Sequence, residues 1–426
     1  MPTPNLRFLS AQILLSFSFK TDSVSDRIQD VCVQHALKEM DKHLFTEIVL
    51  GVLRHLGLLN HLVGTFAKKK RFSEVAQVLL QVAFYQALFL DRVPDYAIVS
   101  ETMKSADLFR LKPWDKKFLR GVLGNFFRNL VDFDLKKEWI LNLPLATRFS
   151  HPEWIVEMWE KYLPKEILET CLAAGNIHPP FPIRAVPENP ESKKFLDELR
   201  ESDIPFHAET ETSLIAERWD TSIADALERG LIYIQSNSQW EAIQKCPAQT
   251  SDIVLEIGAA PGGKTIHLSN LVGNIGKVFA IDVSKKRLKL LEERISLLGL
   301  KNVQAVWQDL FEKFPDTLPA LFDHVVLDVP CSNLGELCKN PEVRWRLKKE
   351  ELLRFQELQK RFASTAWQKL KSGGSLLYMT CTLTREENED VRDFIANDLN
   401  GKIQSELKSF PLPKSPFGGY ACLIRK

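Results

Sequence analysis

No two cysteines in this sequence are spaced C-x-x-C, which removes the commonest structural-zinc and dithiol-redox signatures. The seven cysteines are an odd number at irregular spacing, so they form no disulfide framework and read as reduced thiols of a reducing compartment. No apolar run approaches the ~18 residues that a membrane span needs, because the longest are interrupted by Gln81, Gln86 or Asp91. Met1–Lys20 lacks a basic leader and a small-residue cleavage site, and its Ile13-Leu14-Leu15 patch reads as part of a first helix. Internal repeats and low-complexity tracts are also missing. Neither sign of charge dominates: the formal net charge is +1, which leaves polyanion binding to local patches such as Lys68-Lys69-Lys70-Arg71. These absences predict a cytoplasmic protein with no membrane span and no metal.

What is present divides the chain in three. Residues 1–140 read as consecutive amphipathic helices, with Phe45–Leu53 and Val75–Leu90 as examples and Pro94 and Pro113 as connections. Over 141–245, Pro144, Pro152, Pro164, Pro179, Pro180, Pro182 and Pro187 break the chain into short elements, a small mixed α+β subdomain with a strand near Ile183. Over 246–426, strand and helix alternate: strands at Ile253–Ile257, Val278–Asp282, Val303–Trp307, His324–Asp328 and Ser375–Met379, helices at Lys264–Leu271, Ser284–Leu298 and Lys349–Lys371. Strands apolar on both faces imply a doubly wound, mostly parallel sheet covered by helices, a Rossmann-like α/β domain. Ligands in such folds bind beyond the carboxyl ends of the strands.

The first of those ends carries Gly258-Ala259-Ala260-Pro261-Gly262-Gly263-Lys264-Thr265, which fits the phosphate-binding loop G-x-x-x-x-G-K-[ST] of nucleotide triphosphatases. Asp282 closes the next strand, about 20 residues on, where a carboxylate accepts from both hydroxyls of a ribose. A nucleoside ligand accounts for that pairing better than a triphosphate does. S-adenosylmethionine is such a ligand: residues Ala259–Thr265 approach it through the backbone, Asp282 takes the ribose, Asp309 lies at the adenine edge, and Glu256 adds negative charge near the sulfonium.

Two further strand ends carry Asp328-Val329-Pro330-Cys331 and Thr380-Cys381-Thr382, so both thiols emerge at the edge that holds the glycine loop. A single cysteine is more often buried packing, and Cys32, Cys171, Cys246 and Cys422 are read so, with Cys338 as a structural or incidental thiol. Two thiols beside a nucleoside site suggest cytosine chemistry. Carbon 5 of cytosine is a poor nucleophile, and a thiolate adding at carbon 6 makes the ring an enamine-like donor and can leave again. Asp328, as an acid or a hydrogen-bonding partner, suits the ring nitrogen. The residues themselves do not say which thiol attacks.

With these motifs the sequence resembles the RNA 5-methylcytosine methyltransferase family, in particular the bacterial Sun/RsmB branch that acts on small-subunit (16S) rRNA. The resemblance rests on Glu256–Thr265, Asp282, Asp309, Asp328–Ser332 and Thr380–Thr382 followed by Glu386-Glu387-Asn388-Glu389. It implies that Cys381 attacks, that Cys331 assists product release, that Asp328 serves both catalysis and cofactor binding, and that the enzyme is a monomer. It also implies a NusB-like RNA-binding domain over 1–140, and Ser150–Trp154, Asn176 and Pro179-Pro180 resemble the branch's connecting region. Departures fall at Glu256, Gly258, Ser236, Asn333, Cys338-Lys339 and Gly418-Gly419-Tyr420; Asn333 replaces a small residue. The other readings are a P-loop triphosphatase, which leaves the paired cysteines unexplained, and a non-catalytic RNA-binding or ribosome-assembly protein.

Overall fold

Ile253–Ile257 is apolar with no helical period, and in the computed structural model it forms β5, buried along most of its length. The structure describes residues 5–16, 24–68, 71–129, 139–187 and 189–426. It falls into two compact units: residues 1–176 with 340–346, and residues 177–339 with 347–426.

In the second unit, β1 (Phe181–Ala185), β2 (Phe206–Thr210), β3 (Ser213–Ala216) and β4 (Ile232–Ile234) form an antiparallel sheet in the order β2-β3-β1-β4. Its helices Pro190–Glu201 and Thr221–Glu228 are capped by Asn189 and Asp220, whose side chains accept from Glu191 N and Ser222 N. The larger sheet adds β6 (Lys277–Asp282), β7 (Val303–Trp307), β8 (Phe322–Asp328), β9 (Leu370–Thr380), β10 (Lys402–Ser409) and β11 (Gly419–Arg425) to β5, in the order β10-β11-β9-β8-β5-β6-β7. The five strands β7, β6, β5, β8 and β9 pair in parallel, and β11 and β10 add antiparallel to one edge. This is the Rossmann-like, mostly parallel sheet of the sequence reading. Val325, Leu327, Leu376 and Tyr378 on one face are buried with Trp367 of the helix Glu351–Gln368, while Val326, Leu377 and Met379 on the other pack with Leu268 and Val272. Strand order reverses at β5, between β6 and β8, which opens a crevice beyond their carboxyl ends.

The first unit is helical from Leu6–Ser16 to Pro113–Asn129, and further helices Glu153–Tyr162 and Lys165–Ala174 belong to it. Its core includes Val52, Leu59, Leu80, Phe84, Leu119 and Phe126, with the Phe84 and Phe126 rings stacked at 4.0 Å between centroids. No single helix among the described residues is long and apolar enough to cross a membrane. Of the basic cluster at 68–71, Lys69 and Lys70 lie outside the described residues, as do parts of the Met1–Lys20 segment; its described portion contains the helix Leu6–Ser16.

The short segment 340–346 joins this unit from far along the chain. Arg344 is fully buried, and its guanidinium donates to Ser150 O at 3.1 Å, Asn176 Oδ1 at 2.8 Å and Gly175 O at 2.6 Å. Trp345 Nε1 donates to Leu53 O at 2.6 Å. A planar fork satisfying several carbonyls is a geometry that lysine does not reproduce. Arg344→Ala removes the donors and leaves buried acceptors unmet, so it is expected to destabilise the first unit by about 3 kcal/mol, read from urea unfolding followed by tryptophan fluorescence. Arg344→Lys recovers only part of the loss.

Candidate active site

The crevice at the switch point is a cavity of about 540 Å³, within the usual range for small-molecule sites. Gly258 and Ala260 line it from the glycine loop, Asp282 from the end of β6, Asp309 from the loop after β7, Asp328 from the end of β8, Cys331 from the loop that follows, and Cys381 from the first position after β9. Gly258 has φ +75°, and a Cβ there would stand 2.5 Å from Asp328 O, so glycine is required for β5 and β8 to approach at this point. Ala259, Pro261, Gly262, Gly263, Lys264 and Thr265, also expected to contact the cofactor, do not line the cavity.

Their side chains are occupied elsewhere. Lys264 Nζ donates to Asp328 Oδ2 at 2.8 Å, and Thr265 Oγ1 donates to Glu256 Oε2 at 2.7 Å. The two side chains that a triphosphate loop turns towards phosphate and magnesium are thus committed to carboxylates, and the comparisons below give that reading no support. Burial alone would depress the Lys264 ammonium, but the carboxylates of Asp328 and Glu256 outweigh it and hold the group above its ordinary range. Glu256 is fully buried and faces inward, away from the cavity. Burial pushes its carboxyl up to about 7, against the opposing pull of Lys264 and the Thr265 bond.

Asp282 shows how a nucleoside would fit. Its Oδ1 is held by Ser284 N at 2.8 Å and Arg287 Nη2 at 3.1 Å, while its Oδ2 is buried without a partner. A buried acceptor of this kind needs a donor, and the vicinal hydroxyls of a ribose supply one. Asp309 accepts from Phe311 N at 2.9 Å through Oδ1, forming a turn at the cavity wall.

The cysteines meet at the opposite end. Cys331 Sγ and Cys381 Sγ are 3.1 Å apart. Asn333 Oδ1 accepts from Cys381 Sγ at 2.7 Å and from Cys331 Sγ at 3.4 Å. The hydrogen bond with Cys331 and then burial raise the Cys381 thiol well above its ordinary range, with Asp328 and Glu336 adding to the effect. Cys338 stands apart, buried and donating to Pro416 O at 3.2 Å.

Glu387 ties the two cysteine loops together. Its Oε2 accepts from Ser332 N and Gln359 Nε2, both at 2.9 Å, and its Oε1 accepts from Thr384 Oγ1 at 2.9 Å. Ser332 Oγ and Thr382 Oγ1 share a bond of 2.7 Å, and Gly335 N donates to Cys381 O at 3.0 Å. Sequence reasoning placed Glu387 in the nucleophile motif without a role. Set in the polar run Arg385–Asp390, it carried no signal that set it apart from Glu386 and Glu389.

The family described as 16S rRNA methyltransferase RsmB/F matches residues 245–416, the NusB family matches 4–128, and the ferredoxin-like domain of RsmF/B-like methyltransferases matches 151–216. Over residues 245–416 the chain is thus similar to the RsmB/F methyltransferases. Similar along most of their length are the ribosomal RNA small subunit methyltransferases B of Cronobacter sakazakii, 28% identical over 94% of this chain and 92% of the relative, and of Pasteurella multocida, 29% identical over 96% and 89%. Among solved structures, PH0851 superposes with a TM-score of 0.76 at 24% identity, covering 100% of this chain and 99% of its own, and shares the fold.

One consequence concerns pH. The unfolded chain ionises Glu256 near its ordinary value of 4.5, whereas the folded chain retains that proton up to about 7. The contribution to stability is therefore full below 4.5 and is lost as pH rises through 7. Thermal melts of the ligand-free protein at pH 5 and pH 8 should differ less for Glu256→Gln, which keeps the Thr265 bond, than for the wild type. Equal differences would show that Glu256 does not titrate in this window.

Proposed function

We propose that this chain transfers the methyl group of S-adenosylmethionine to carbon 5 of a cytosine in small-subunit ribosomal RNA through a transient bond from Cys381. The observation that carries the reading is the convergence of two thiols with Asp282, Asp309 and Asp328 on one cavity. The named relatives are small-subunit rRNA methyltransferases and support the RNA class of the substrate. The helical residues 1–140 and the mixed subdomain 141–245 serve RNA binding, and 246–426 carries the transfer.

S-adenosylmethionine supplies an electrophilic methyl group on a sulfonium. Asp282 Oδ2, buried without a partner, would accept from its ribose, Asp309 would take the adenine edge, and Gly258 and Ala260, which line the cavity, would give it a backbone wall. A target base must leave its stack to reach the thiols, as single-stranded or loop nucleotides in RNA do. Cys381 loses its proton and its sulfur adds to carbon 6, which places an electron pair on carbon 5 for the incoming methyl. Asp328 lines the cavity beside the ring, held from behind by the Lys264 ammonium, and its carboxyl is the group that hydrogen-bonds at the ring nitrogen as charge develops there. The protons of Cys381 and Cys331 pass to solvent water as the base binds; the Cys331 thiolate then takes the carbon 5 proton, the carbon–sulfur bond breaks with its electron pair returning to the Cys381 sulfur, and that thiolate is reprotonated from solvent.

Incubation with labelled S-adenosylmethionine and unmodified small-subunit rRNA tests this directly. Cys381→Ala should abolish transfer, and Cys331→Ala should accumulate a denaturation-resistant protein–RNA adduct; undiminished transfer by the Cys381 variant would refute the mechanism, and an adduct in that variant would exchange the two roles. Separately, Asp282→Ala should weaken S-adenosylmethionine binding by about tenfold or more in calorimetry, the worth of a hydrogen bond to a charged group.

A further inference from the structure

Asn333 occupies the loop after β8 with φ +58°, a left-handed conformation that asparagine tolerates better than other residues bearing a Cβ. That conformation aims its carboxamide at both thiols at once. The single oxygen Oδ1 lies 2.7 Å from Cys381 Sγ and 3.4 Å from Cys331 Sγ, while the sulfurs are 3.1 Å from each other. An amide oxygen only accepts, so the close contact with Cys381 favours the protonated form of that sulfur. A glycine or alanine at this position would have no group to offer either sulfur.

We propose that Asn333 is a positioning residue that latches the thiol pair in its protonated form until substrate arrives. The inference rests on Cys381 being the nucleophile. The oxygen lone pairs oppose a thiolate at Cys381, and the carboxylates of Asp328 and of Glu336 oppose it from the end of β8 and from the same loop. The Lys264 ammonium of the helix Gly263–Val272 acts in the other direction and is committed to Asp328. The resting site is thereby biased against a free thiolate, which is the form that stray electrophiles and oxidants attack. Opening the latch requires the carboxamide to turn. Rotated about its terminal bond, the same side chain presents its NH₂ to the sulfur and stabilises the charge it had opposed.

The test reads the thiol itself. Full-length, reduced, ligand-free protein is alkylated with iodoacetamide across a range of pH, and modification of Cys381 is followed by peptide mass spectrometry. Asn333→Gly accepts the same φ and removes the acceptor, and the pH of half-maximal Cys381 alkylation should fall by about 0.7, the fivefold that one neutral hydrogen bond is worth. Asn333→Asp keeps the size and both bonds but adds a charge, and the midpoint should rise. Because the midpoint is normalised to each variant's own maximum, easier access to the sulfur does not move it. Identical midpoints in all three proteins would overturn the latch, as would a fall in the aspartate variant. Loss of methyl transfer in Cys381→Ala concerns the nucleophile alone, so a failed latch and a failed mechanism are separable.

Discussion

Asp328 lies opposite Met379 in the parallel pairing of β8 with β9, so the loops that follow leave the sheet side by side, three residues before Cys331 and two before Cys381. Parallel pairing alone brings such loops to one edge without fixing their side chains. Glu387 supplies the rest, since one carboxylate accepts from the backbone of Ser332 in the first loop and the hydroxyl of Thr384 in the second. Its burial raises its own carboxyl above the ordinary range, opposed by the bonds from Ser332, Gln359 and Thr384. Losing the register would part the sulfurs, and losing the carboxylate would leave only the Ser332–Thr382 and Gly335–Cys381 bonds to join the loops.

The same edge concentrates opposite charges. Glu256, Asp282 and Asp328 close adjacent or nearby strands, and one buried ammonium, that of Lys264, answers two of them. Asp282 is answered instead by Arg287 and by the amide of Ser284 at a helix start, through one oxygen only. The glycine loop thus contributes mainly close backbone approach and an internal cation, and the carboxylates divide between structure and ligand according to which of their oxygens are already bonded.

Much of this fold was legible because parallel strands such as Ile253–Ile257 and His324–Asp328 are largely apolar on both faces and stop at Gly258 and at Asp328, residues that do not continue them. Strand β10 was not legible: Lys402–Ser409 is a mostly exposed edge strand, and its polar sequence carries no burial pattern to read. In the site, the two thiols and the acids at strand ends were visible as residue types at topologically equivalent places. Where side chains point was not. Lys264 turning to Asp328, Thr265 to Glu256 and Asn333 to both sulfurs are outcomes of three-dimensional packing that the one-dimensional motif leaves open. Asn333 stood out only as a departure, with no indication of what it would touch.

The segment Asn340–Arg346 belongs to the helical unit although it is encoded after β8 and before β9. On a ribosome, the carbonyls of Ser150 and Gly175 and the amide of Asn176 emerge long before Arg344, the residue that answers them. The helical unit therefore cannot reach its final state as an independent first product of synthesis. Its completion waits until β5, β6, β7 and β8, four of the five strands of the parallel core, have been made, so its maturation is timed by the translation of the other unit.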